Sequence, residues 1–190
     1  GNKVTYRKRH DNNPMIRYDI MQHSVAEGKD IVRAQAQRGT AQLVAADASS
    51  TVVVNEDLHM VLNHNGKNIV LTPNGTEDAY NWPSISPDGS KILYYVSGRG
   101  CFVCDINGKN VRKIANHCRA PKWYNNNTIV GMADEDDGHN FTASALMVYT
   151  LDGKSQTLIT KDKLAMYPYV AKNKVAFSTP TGEMFLLNVK

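Results

Sequence analysis

Apolar residues along this chain gather in short runs separated by polar ones, and a Gly-Lys turn punctuates the runs at Gly28, Gly66, Gly108 and Gly153, spaced 38, 42 and 45 residues apart. Each turn follows one apolar segment (MIRYDI, HMVLNH, CFVCDIN, ALMVYTLD) and precedes another (DIVRA, NIVLT, NVRKI, SQTLIT). Two such runs joined by a tight turn predict a β-hairpin. The Asn-Gly pairs at 65–66 and 107–108 and the Asp-Gly pair at 152–153 supply the positive φ that the turn requires.

A second block stands upstream of the hairpin. It reads Pro83-Ser-Ile-Ser-Pro-Asp-Gly, Pro121-Lys-Trp-Tyr-Asn-Asn-Asn and Pro168-Tyr-Val-Ala-Lys-Asn, followed by KILYYVS, TIVGMAD and KVAFSTP. Hairpin and block together make a four-stranded unit of about 40 residues, the size of a propeller blade. Full units are expected over 41–72, 81–115 and 119–160, with partial ones over 2–34 and 166–190. No stretch keeps apolar residues at helical spacing beyond about two turns. The expected fold is all-β: a single β-propeller domain over residues 1–190, built of four-stranded antiparallel blades and five-bladed, or else an open arc of a larger propeller. A closed ring predicts a monomer. An arc leaves an unpaired edge and predicts a dimer. The segment KVTYRKR at 3–9 is a candidate for the strand that closes the ring.

The stretch NWPSISPDGSKILYYVSGRGCFVCDINGKNVRKI resembles the WD-like repeats of the TolB family, whose blades read Pro-x-Trp-Ser-Pro-Asp-Gly, an apolar strand, then a strand ending in Asp-x-x-Gly. The resemblance is close over 81–115. In 119–160 and 166–190 Pro121 and Pro168 persist, while Asn125-Asn126-Asn127 and Lys172-Asn173 replace the Asp-Gly turn. It implies a propeller fold and a periplasmic or otherwise extracytoplasmic place. Families with such blades include periplasmic translocation proteins, propeller domains of serine peptidases and some sugar lyases.

Charge adds little. The 22 Lys and Arg are interleaved with 18 Asp and Glu, giving +4, and the cluster Lys3, Arg7, Lys8, Arg9, His10 reads as a solvated strand face, so no nucleic-acid partner is expected. No run of 18 apolar residues marks a membrane span. Three cysteines cannot form a paired disulfide framework. Cys101 and Cys104, three apart on a strand, point to opposite faces, which argues against a redox or zinc pair.

Searches for chemistry return few candidates. There is no Gly-x-Ser-x-Gly nucleophile elbow and no phosphate-binding Gly-Lys-Ser/Thr loop, and no His pair stands at metal-ligand spacing. Asp134, Glu135, Asp136 and Asp137 form the densest run of oxygen donors. They are a candidate site for calcium or another hard cation, against the plainer reading of a solvated hairpin tip. Asp88, Asp105 and Asp152 stand at turns, where Asp caps backbone amides. Aromatics gather at the start of each unit. Trp123 reads as packing between blades, while Tyr80, Trp82, Tyr124, Tyr167 and Tyr169 are candidate contacts for a peptide or sugar ring. The leading expectation is a non-catalytic propeller scaffold that binds a protein or peptide partner without cofactor in the cell envelope. A carbohydrate-binding or carbohydrate-active propeller and a peptidase-associated propeller are the alternatives.

Overall fold

The computed structural model of the chain describes residues 3–9, 17–24, 26–38, 50–64, 66–171 and 173–189. The first sheet joins β1 (Lys3–Arg9), β2 (Arg17–Ser24) and β3 (Lys29–Arg38), and the second joins β4 (Ser50–Val54), β5 (Met60–His64) and β6 (Lys67–Leu71). Two four-stranded sheets follow in strict chain order: β7 (Tyr80–Ile85), β8 (Lys91–Val96), β9 (Gly100–Asp105), β10 (Arg112–Ala115), then β11 (Arg119–Asn125), β12 (Thr128–Asp136), β13 (Phe141–Thr150), β14 (Ser155–Ile159). The fifth sheet joins β15 (Met166–Ala171), β16 (Lys174–Ser178) and β17 (Met184–Asn188). Every pairing is antiparallel. The only helical element among the described residues is a 3-10 turn at Lys161–Lys163.

The all-β expectation therefore stands, and the predicted turns sit where they were placed. Gly28, Gly66, Gly108 and Gly153 all have positive φ. Of the four strands expected in unit 41–72 three are described, and residues 41–49 lie outside the described part of the chain. The basic cluster Lys3 to His10 also falls where no side chain is described.

From the second sheet to the fifth, neighbours in sequence are neighbours in space. β4 lies beside β7, β11 beside β7 and β8, and β15 beside β11 and β12. The strand period of two sorts each sheet's apolar residues onto two faces. Tyr94, Phe102 and Cys104 join Val52, Met60 and Leu62 in the core between sheets two and three. Leu93, Cys101 and Val103 join Trp123, Ile129 and Tyr149 between sheets three and four. Val130 and Leu146 join Val175 and Phe177 between sheets four and five. Cys101 and Cys104 thus belong to different cores, as the spacing predicted. Full burial of a side chain such as Leu93 or Ile129 contributes roughly 2 kcal/mol, so these interfaces hold the array together.

Candidate functional site

The strands β7, β11 and β15 begin alike. Each carries an X-Pro pair, Trp82-Pro83, Ala120-Pro121 and Tyr167-Pro168, and in each the X residue has a left-handed backbone, with φ of 47, 48 and 49°. The pairing register slips at the same point, between Asn81 and Ser84, Arg119 and Lys122, and Met166 and Tyr169. A left-handed conformation costs an L-residue about 1 kcal/mol or more, and a residue before proline ordinarily stays extended. Its threefold repetition marks a β-bulge held by the surrounding sheets, a device that re-aims a side chain where a site is built.

Two of the three bulges carry aromatic rings. Trp82 packs against Tyr95 with ring centroids 5.6 Å apart, and Tyr167 is 42% exposed. At the third, Ala120 is buried and its neighbour Arg119 is half-buried. The Arg119 Nε donates to Asp134 Oδ2 at 3.1 Å, a second guanidinium nitrogen lies 3.6 Å from Asp136 Oδ2, and the group sits 5.2 Å over the Phe141 ring. The backbone N–H of Tyr167 reaches the Met132 sulfur at 3.5 Å, and Met132 is the register partner of Arg119. Trp82, Tyr95, Arg119, Asp134, Phe141 and Tyr167 therefore stand at one end of sheets three to five.

Charge inside this cluster is tuned by burial. Desolvation pushes the Asp134 carboxyl above its usual range, with the Arg119 guanidinium pulling the other way. Desolvation likewise raises the Tyr95 hydroxyl, again opposed by Arg119. One residue past each proline the strands present Ser84, Lys122 and Tyr169. The Lys122 ammonium lies 5.5 Å from the centre of the Tyr169 ring. The Ser84 hydroxyl oxygen is, among the described residues, the buried side-chain polar atom that has no hydrogen-bond partner, which leaves a donor and an acceptor available beside this row.

The sequence candidates separate cleanly here. Trp82, Tyr167 and Tyr169 reach solvent on β7 and β15. Tyr80 does not: it is fully buried, its hydroxyl accepts from the backbone N–H groups of Asn74 and Gly75 at 2.9 and 3.1 Å, and it donates to the Gly75 carbonyl at 2.9 Å. Its ring anchors the preceding loop. Tyr124 lies against the core between sheets four and five, with its hydroxyl 3.4 Å from the Val189 carbonyl. Trp123 packs between sheets as expected, and its indole N–H donates to the Ser84 carbonyl at 3.1 Å. Arg119 was missed, because nothing in its local sequence sets it apart; Pro121 two residues on was the available signal.

The acidic run does not assemble as a cation site. Asp134 is committed to Arg119. Asp136 Oδ1 accepts from the Gly138 N–H at 3.0 Å, and Asp137 Oδ1 accepts from His139 and Asn140 at 2.9 and 2.7 Å. Strand alternation directs Asp134 and Glu135 to opposite faces. No three His, Cys, Asp or Glu side chains converge among the described residues. As described, these carboxylates cap a hairpin and orient an arginine. Asp88, Asp105 and Asp152 sit in turns, as read from the sequence, with Asp88 accepting from Ser86, Asp105 from Asn110 and Asp152 from Thr150.

No family model matches the chain, and no curated protein matches it in sequence. Among solved structures it is similar to an oligogalacturonate lyase in complex with manganese, with 17% identity and a TM-score of 0.58 over 97% of this chain and 60% of that one. It is also similar to an oligogalacturonate lyase from Vibrio parahaemolyticus, with 13% identity and a TM-score of 0.58 over 92% and 59%. A third is the β-propeller domain of the Trilobed protease from Pyrococcus furiosus, of open velcro topology, with 12% identity and a TM-score of 0.54 over 100% and 67%. The chain thus spans about three fifths of the length of the two lyases. These likenesses show a β-propeller type of fold. They also correct the expectation of a non-catalytic chain, since two of the three are enzymes.

Proposed function

We propose that this chain is part of a carbohydrate-active propeller that grips an acidic oligosaccharide across the bulged ends of β7, β11 and β15. The observation that carries the reading is the repeated X-Pro bulge, which puts Trp82 and Tyr167 at equivalent points of the sheets before and after the one that carries Arg119. Flat rings offer apolar faces to sugar C–H groups. A guanidinium is the side chain best shaped to take a carboxylate through two parallel hydrogen bonds. Asp134 and Asp136 hold Arg119 from one side and the Phe141 ring supports it, so its orientation is set before a ligand arrives. Lys122 adds a second cation further along β11.

The likeness to two oligogalacturonate lyases supports uronate oligomers as the substrate class. One of those lyases is a manganese complex; among the described residues of this chain no three His, Cys, Asp or Glu side chains converge.

Calorimetric titration of the protein with galacturonate oligomers, beside neutral gluco-oligosaccharides of equal length, tests the reading. The acidic series should bind saturably and the neutral series weakly or not at all. No heat from either series, or equal affinity for both, overturns it.

A further inference from the structure

Asn81, Arg119 and Met166 each precede a left-handed residue, so their register partners Tyr95, Met132 and Ser178 hold equivalent places in sheets three, four and five. Met132 is buried and meets the bulge of the sheet that follows, its sulfur accepting from the Tyr167 N–H at 3.5 Å. Tyr95 stands in the same relation to sheet four. Strand alternation sends Ile92 and Tyr94 into the core shared with sheet two, and Leu93 and Tyr95 toward sheet four. The bulge on that side is Ala120, which has a methyl group where Trp82 and Tyr167 have rings, and the residue before it is Arg119. Arg119 and Asp134 both act electrostatically on the Tyr95 hydroxyl. The Tyr95 ring is braced by Trp82, with centroids 5.6 Å apart.

Tyr95 differs from the other tyrosines packed between these sheets in what its hydroxyl does. Tyr80 donates to the Gly75 carbonyl at 2.9 Å, Tyr94 to Asn74 Oδ1 at 2.7 Å and Tyr149 to the His117 carbonyl at 2.6 Å, while the Tyr124 hydroxyl lies 3.4 Å from the Val189 carbonyl. The Tyr95 hydroxyl has no hydrogen-bond partner among the described residues. Nor is it sealed in, since the buried unpaired side-chain atom among those residues is Ser84 Oγ. A half-buried phenol ordinarily finds a partner. Burial holds its proton on above the usual phenol range, so it remains a donor. A braced donor with a free proton beside a guanidinium suits an anionic acceptor.

On the oligosaccharide reading of this site, we propose that the Tyr95 hydroxyl donates a hydrogen bond to the same uronate carboxylate that the Arg119 guanidinium takes, which makes Tyr95 a determinant of selectivity for the free acid over its ester. Calorimetric titration, with competition where the heat is small, compares galacturonate oligomers and their methyl esters on the unaltered protein and on Tyr95→Phe. The phenylalanine keeps the ring against Trp82 and removes only the hydroxyl. Affinity for the free acid should fall about 10-fold, as for a hydrogen bond to a charged acceptor, and affinity for the ester about 3-fold or less. Tyr95→Met, which puts there the residue that sheet four has at the equivalent place, serves should the phenylalanine variant unfold. Equal losses for acid and ester assign Tyr95 to packing and overturn the proposal, as does an unchanged affinity for the acid. In both cases the preference of the unaltered protein for acidic oligomers leaves the oligosaccharide reading in place. An unaltered protein that binds no acidic oligomer overturns that reading and this proposal with it.

Discussion

Trp123 donates its indole N–H to the backbone carbonyl of Ser84, 3.1 Å away across the boundary between the third and fourth sheets. The bond fixes β11 against β7 at the residue that follows Pro83, so the packing of one sheet sets the geometry of its neighbour. Trp123→Phe keeps most of the apolar volume and should cost about 1 kcal/mol, the worth of the lost hydrogen bond. Trp123→Ala should cost about 3–5 kcal/mol through the cavity it leaves between sheets. Denaturant unfolding of both variants checks the ratio, and equal losses would assign the role to the hydrogen bond alone.

For the aromatic part of the binding reading, Trp82→Ala and Tyr167→Ala should each weaken an acidic oligosaccharide roughly 3–10-fold, from the ~0.5–1.5 kcal/mol that an aromatic contact is worth beyond its area. Tyr80→Phe serves as the contrast. It removes the hydroxyl that ties the Asn74 and Gly75 loop and should lower the melting temperature while leaving the affinity of the folded protein unchanged.

Affinity should also depend on Arg119 and its support. Arg119→Gln should abolish the preference for acidic over neutral oligomers, and raising the ionic strength should weaken binding of the unaltered protein to the acidic series alone. Asp134→Asn keeps the shape but loosens the guanidinium, so its loss of affinity should be smaller than that of Arg119→Gln. A loss as large would assign Asp134 a direct contact.

Acid stability should follow the turn carboxylates. Asp88 is held at about 2, below the ordinary 3.8, chiefly by the Ser86 hydroxyl and then by Ser90, and Asp152 at about 2 chiefly by the Thr150 hydroxyl. With the folded value below the unfolded one, the ionised group stabilises the fold above about pH 4, and that contribution disappears as pH falls through about 2. Melting temperatures recorded between pH 5 and pH 2 should decline over this window, as the principle of linked protonation requires. Asp88→Asn should flatten the decline.

Gly131 is where the core between sheets three and four tolerates no addition: a Cβ there would stand 2.4 Å from the Cys118 sulfur. Gly131→Ala should destabilise by about 1–3 kcal/mol through overpacking, and Cys118→Ala in the same chain should restore much of it. The three thiols, all buried, should resist an aromatic disulfide reagent in the native protein and titrate fully after denaturation. Burial pushes the Cys104 thiol up to about 12 and raises that of Cys118 as well. Rapid labelling of the native protein would contradict that burial.

Strand and turn content could be read directly from the sequence, because a period of two and the φ requirement of Asn-Gly and Asp-Gly turns are local properties of the chain. The opposed directions of Cys101 and Cys104, the turn roles of Asp88, Asp105 and Asp152, and the packing role of Trp123 are legible for the same reason. Other features are decided only when sheets pack. Pro83, Pro121 and Pro168 are visible in the sequence, but the left-handed residue before each is not, since a residue before proline is ordinarily extended and only the neighbouring sheets hold it otherwise. Tyr80 and Trp82 lie two residues apart with similar composition around them, yet one is buried by loop amides at Asn74 and Gly75 while the other stands at the surface against Tyr95. Arg119 meets Asp134 and Asp136 from another strand, a pairing set by register rather than by spacing. The sequence by itself determined which segments are strands and where they turn, because those preferences act within a few residues. Which aromatic rings, cations and apolar faces come together was decided by sheet-on-sheet packing, which joins residues that are far apart in the chain.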